Sequence, residues 1–154
     1  MARTPSHPVG SLILLLNRVP LGLLFLLAGV RKLLPKPDGS VMQSLNGFAS
    51  YAASQAPLPE ALGKAYGYAL PFVEIIAGGL LILGLLTRVS ALVIGLMLLS
   101  FMVAMGINWW PESGPAFDKN VILFTLSLLL VMIGGGAWSL DAVRGKRGGA
   151  SSAK

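Results

Sequence analysis

Four apolar runs, each long enough to cross a bilayer, constrain this chain more than any other feature. They cover residues 11–34, 66–86, 89–110 and 121–138 and reach roughly 18 to 24 residues each, where about 20 helical residues span a hydrocarbon core of about 30 Å. The first is interrupted by Asn17, Arg18 and Pro20, the second by Pro71 and Glu74; the last two carry no charge. Backbone polar groups must be satisfied within the segment in lipid, so an open chain of this kind crosses as helices. The predicted fold is all-α: a four-transmembrane-helix antiparallel bundle. Composition agrees. Only 12% of the 154 residues are charged, and mean hydropathy is +0.76, against about 25% charged residues in a soluble domain. The first run is too long for a signal-peptide core. It contains Arg18 and has no small-residue cleavage site before its basic end at Arg31 and Lys32.

The connections divide the chain. Thr87 and Arg88 separate the second and third runs, which therefore form a tight hairpin. Pro111, Gly114 and Pro115 turn the chain between the third and fourth. Between the first and second, Pro35, Pro37 and Gly39 stop a helix, and residues 41–55 then place Val41, Leu45, Phe48 and Ala52 at helical spacing. This reads as a short amphipathic helix that lies on the bilayer or caps the bundle. Residues 1–142 form one transmembrane domain, and residues 143–154 form a basic Gly/Ser-rich tail expected to be disordered. No internal repeat stands out.

Two absences limit the chemistry. With no cysteine, the chain has no disulfide, thiol relay or thiolate-held metal. Its one histidine, His7, lies ahead of the first span, so no histidine pair holds a haem or copper within the membrane. No metal site and no tightly bound cofactor are expected. The net charge of +6 is accounted for by topology and lipid contact, without a nucleic-acid partner. Arg3, Arg88, Arg144, Lys146, Arg147 and Lys154 fall on the side of the termini, and Arg31, Lys32, Lys36, Lys64 and Lys119 on the other. The dense cluster after the last span favours both termini in the cytoplasm.

The informative residues are the polar ones within the spans. A charge at the centre of a transmembrane helix costs about 2.5 kcal/mol or more on insertion scales, and it usually faces the bundle interior with a partner. Arg18 lies roughly 9 Å into the first span and Glu74 roughly 12 Å into the second at 1.5 Å per residue, measured from opposite faces. Arg18, Lys32 and Lys119 are all candidate partners for Glu74. Arg18, Gly22, Phe25, Gly29 and Lys32 share one helical stripe, and Glu74, Gly78, Leu81, Leu85 and Arg88 repeat its offsets. Gly22, Gly29, Gly78 and Gly79 are read as helix-packing residues. Asn120 heads a mildly polar stripe on the fourth span. These stripes predict a polar pocket in the outer half, lined by Glu74, Lys119, Asn120 and Lys32, with Arg18 below. Trp109 and Trp110 are read as interfacial anchors.

The stretch from Arg18 through Gly22, Phe25 and Gly29 to Lys32 resembles the opening helix of DoxX family membrane proteins. Residues 71–80 and the turn from Leu83 to Arg88 are similar to that family's second helix and turn. The resemblance covers about Leu12 to Asp141. It implies an integral protein of the bacterial cytoplasmic membrane, allied to oxidoreductase complexes, with complex subunits or further copies of itself as partners beside the lipid. The missing cysteines depart from a redox-active member, but a quinone needs no covalent ligand and stays compatible. The expected function is therefore an accessory or quinone-binding subunit with no catalytic residue of its own. A small proton-linked carrier and a non-catalytic scaffold are the alternatives.

Overall fold

The structure, a computed structural model, describes residues 8–35, 39–106 and 119–144. Among the described residues five longer helices follow one another: α1 (Pro8–Leu33), α2 (Val41–Gln55), α3 (Glu60–Leu83), α4 (Thr87–Met105) and α5 (Lys119–Ile133), with a further helical turn at residues 140–144. α1, α3 and α4 are each long and apolar enough to cross a membrane. α5 has 15 residues, about 22 Å, and completes an up-and-down bundle. The chain is a multi-pass membrane protein, and the apolar side chains left exposed along α1, α3, α4 and α5 form its lipid-facing surface. The start of α1, the segment after α5 and the α3–α4 turn lie at one pole, here the terminal end. α2 lies at the other, the loop end.

Glycines set the closest crossing. A Cβ at Gly22 would lie 2.7 Å from the Gly78 carbonyl oxygen, one at Gly78 2.6 Å from that of Gly22, and one at Gly29 2.5 Å from that of Pro71. α1 and α3 therefore meet backbone to backbone, as small residues permit in lipid. Gly79 differs: a Cβ there would meet nothing within 4 Å, so it does not pack helix on helix among the described residues. Phe25, Leu81, Ile94, Leu98 and Leu130 fill the core between α1, α3, α4 and α5.

α2 caps the bundle, the second of the two placements its spacing allowed. Ser40 caps its start, its hydroxyl accepting from the Gln43 amide at 3.2 Å. Ala49 and Ala53 of α2 sit so close to Gly67 and Gly63 of α3 that any side chain at those glycines would clash. α3 begins at Glu60 rather than Tyr66, because its first two turns serve as the seat for α2 and need no lipid-facing run.

The last span is shorter than predicted. α5 ends at Ile133, not Trp138, because Gly134 takes a left-handed φ of 90° and Gly136 one of 75°, the usual stop for a helix. α4 likewise ends at Met105 instead of residue 110. Trp109, Trp110, His7 and the tail from residue 145 lie outside the described residues.

Candidate functional site

The polar residues of the spans separate into two sites at opposite poles. At the terminal end, Arg18 is 2% exposed and points away from Glu74. Its Nη1 donates to the Gly135 carbonyl at 3.1 Å and its Nη2 to that of Trp138 at 2.6 Å. These carbonyls belong to the segment after α5, whose early stop frees them for the guanidinium. Gly84, at φ 67°, both turns the chain after α3 and leaves room for the guanidinium, since a Cβ there would sit 2.0 Å from Nη1. Asp141 then closes the end. Its two carboxylate oxygens accept from the Leu86 and Thr87 amides, each at 2.8 Å, capping α4, and its own amide donates to Gly84 at 3.0 Å. Arg88 Nη2 reaches the Ile133 carbonyl at 3.4 Å. Both Nη groups of Arg18 are spent on main chain and Asp141 on a helix start, although the buried Arg18 Nε has no hydrogen-bond acceptor among the described residues; the cluster is a clasp.

At the loop end the arrangement is different. Lys32 sits in the last turn of α1, where the helix dipole favours a cation. Its Nζ is 2.6 Å from each carboxylate oxygen of Glu74. Gly29, one turn below Lys32, permits this: a Cβ there would press on the Glu74 Cβ at 3.0 Å as well as on Pro71. Glu74 is 1% exposed. Lys32 also lies 5.0 Å from the centre of the Phe48 ring of α2, a cation–π geometry.

This pair faces a cavity of about 580 Å³, within the 300–1,000 Å³ usual for small-molecule sites. Its walls are mostly apolar and aromatic, with Phe25 from α1, Phe48 and Tyr51 from α2, and Leu98 and Phe101 from α4. Lys119 and Asn120, at the start of α5, lie on its rim. The structure thus brings Lys32, Glu74, Lys119 and Asn120 to one cavity, and leaves Arg18 out of it. Of the three candidate partners for Glu74, Lys32 is the one within bonding distance.

Two cavity residues were not singled out in the sequence. The hydroxyls of Tyr66 and Ser100 share a hydrogen bond of 2.5 Å between α3 and α4, and both line the cavity. The signal for Tyr66 was present. Tyr66, Leu70 and Glu74 recur every four residues, one stripe of α3. Ser100, one of two serines in an uncharged span, offered none. Chemically the site offers a buried carboxylate, an ammonium and two hydroxyls among aromatic rings. Among the described residues no group of His, Asp or Glu could hold a metal.

Comparison with protein families matches residues 10–139 to the family described as methylamine utilisation protein MauE. No curated protein and no solved structure matches the chain. The match corrects the family suggested by the helix motifs. MauE and DoxX are different families, although both consist of small multi-pass membrane proteins.

Proposed function

The chain belongs to the MauE family of membrane proteins, and on that premise we propose that it is a membrane accessory protein of an oxidoreductase-related system whose loop-end cavity binds a quinone-class amphiphile. One observation carries the reading: a Lys32–Glu74 pair with a buried carboxylate and a part-buried ammonium lines a mostly apolar, aromatic-lined cavity. A pair serving stability alone would gain from being sealed, as Arg18 is. The residues fit the head group. The Lys32 ammonium, with a third proton beyond the two directed at Glu74, can donate to a carbonyl oxygen, and the Phe25, Phe48 and Phe101 rings can pack against a flat ring. A bound quinone would supply two-electron, two-proton chemistry. The chain's own residues bind and orient it, and Glu74 holds Lys32 in place. With no cysteine in the chain, any thiol in such a system would belong to a partner. The basic residues Arg144, Lys146 and Arg147 favour the terminal end at the cytoplasmic face of the inner membrane.

The carrier reading has less support. A carrier needs a second opening, and between the cavity and Arg18 the described residues place the Gly22–Gly78 contact and the Phe25–Leu81–Leu98 core.

The test is mass spectrometry of lipophilic molecules co-purified with the chain in mild detergent. The expected result is a quinone that is absent from Glu74→Gln. Quinone-free wild-type protein, or a quinone retained by Glu74→Gln, overturns the reading.

A further inference from the structure

Among the described residues, the exposed residues that line the cavity fall in two places of different chemistry. Toward the loop end its rim is Tyr51, Gln55 and Lys119, all exposed and polar. Between α1 and α5 it reaches Leu24, which is 44% exposed on the lipid-facing side of α1. A leucine that lines a cavity and also faces lipid marks a place where the two meet.

The seam between these helices fixes the level of that place. Lower down, Asn17 Nδ2 donates to the Leu126 carbonyl at 3.3 Å and ties α1 to α5. Counting toward the loop end, Leu24 lies seven residues beyond Asn17 and Asn120 six beyond Leu126. These are rises of roughly 10 and 9 Å, so Leu24 and Asn120 are level. Both line the cavity, with Leu123 beside them. Above the Asn17–Leu126 bond, residues of α1 and α5 therefore line the cavity at one level. Among the described residues, the α2–α3 side is closed, because Ala49 and Ala53 are seated on Gly67 and Gly63.

We infer that the ligand is a membrane-resident amphiphile that enters sideways: its hydrocarbon tail runs out between α1 and α5, past Leu24, while its polar head rests by Lys32 and Glu74. The head-group half rests on the function proposed above; the tail path stands on the α1–α5 geometry. A tail left in hydrocarbon avoids exposing apolar surface to water, and a water-borne solute has no use for a lipid-facing slot. Leu24 and Leu123 are then specificity residues, selecting for a tail.

The experiment places p-azidophenylalanine at Phe101, which lines the cavity, in the full chain in phospholipid nanodiscs containing a prenyl quinone. Irradiation is followed by mass analysis of the adducts. The expected adducts carry a hydrocarbon tail, and their yield falls at least fivefold when Leu24→Trp or Leu123→Trp fills the slot. The same photoreactive residue at Phe72, 49% exposed on α3, keeps its lipid adducts in either variant and shows that each folds and inserts. Tail adducts at position 101 that persist in both tryptophan variants overturn the lateral path, as do adducts to protein or water alone. Phospholipid adducts without quinone, still blocked by Leu24→Trp, support the path and count against the quinone head group only.

Discussion

Arg18 and Lys32 put the same kind of charge on α1 in opposite circumstances. Arg18 and Lys32 share one stripe, 14 residues or roughly 21 Å apart. Arg18 is sealed: two carbonyls of the segment after α5 take its guanidinium, and Asp141 caps α4 beside it. Lys32 is paired with a carboxylate and looks into a cavity. An intramembrane charge is by itself no evidence of chemistry. What separates a clasp from a site is whether the charged group's surroundings are full. Arginine suits the clasp because its planar fork can reach two fixed acceptors. Lysine suits the site because a compact ammonium can remain with Glu74 and still face a ligand.

Substitution at each end tests this contrast, and the largest stability effect belongs to the clasp. Arg18→Met strands the Gly135 and Trp138 carbonyls, and at about 1 to 3 kcal/mol for each group left unsatisfied the loss is roughly 2 to 6 kcal/mol. Denaturant unfolding in mixed micelles measures it, and the folded fraction should still bind a quinone probe within about twofold of wild type. Loss of binding in folded Arg18→Met would erase the distinction between the ends.

Glu74→Gln is predicted to do the reverse. Lys32 is about one-fifth exposed and can extend toward water, so the cost is smaller, roughly 1 to 3 kcal/mol, while probe affinity falls at least about tenfold. Adding Lys32→Met removes the stranded cation. The double variant should be more stable than Glu74→Gln alone, as expected when both members of a buried pair are replaced, with binding still lost. A purely additive result would mean that the pair is not coupled.

Gly29→Ala sharpens the contrast from the backbone. Its Cβ would lie 2.5 Å from the Pro71 carbonyl oxygen, so α1 and α3 must part beside the Lys32–Glu74 pair. Overpacking of this kind costs about 1 to 3 kcal/mol, and binding should weaken along with stability. The smallest effect is expected for Asp141→Ala, a lost helix cap of about 1 kcal/mol with unchanged probe binding.

Much of this arrangement was legible in the sequence because lipid makes helical runs and buried charges conspicuous. The spans, the amphipathic α2 and the residues Lys32, Glu74, Lys119 and Asn120 all stand out as apolar stretches or as exceptions within them. The partner of Glu74 did not, since helical spacing fixes faces but not the relative height of two helices; that height is set by Gly29 against Pro71. The partners of Arg18 were hidden for a related reason. Its acceptors are main-chain carbonyls, which no side-chain pattern announces, and they are free only because Gly134 stops α5 five residues before Trp138. The tail slot depends on which residues of α1 and α5 stand level, and a linear pattern holds no trace of that.

The most direct test titrates decylubiquinone into the full chain in nanodiscs, comparing wild type, Glu74→Gln and Arg18→Met at matched folded concentration. Saturable binding to wild type and Arg18→Met, with affinity at least about tenfold weaker in Glu74→Gln, is the predicted result. Equal affinity in wild type and Glu74→Gln, or loss confined to Arg18→Met, would contradict a binding site at the Lys32–Glu74 end.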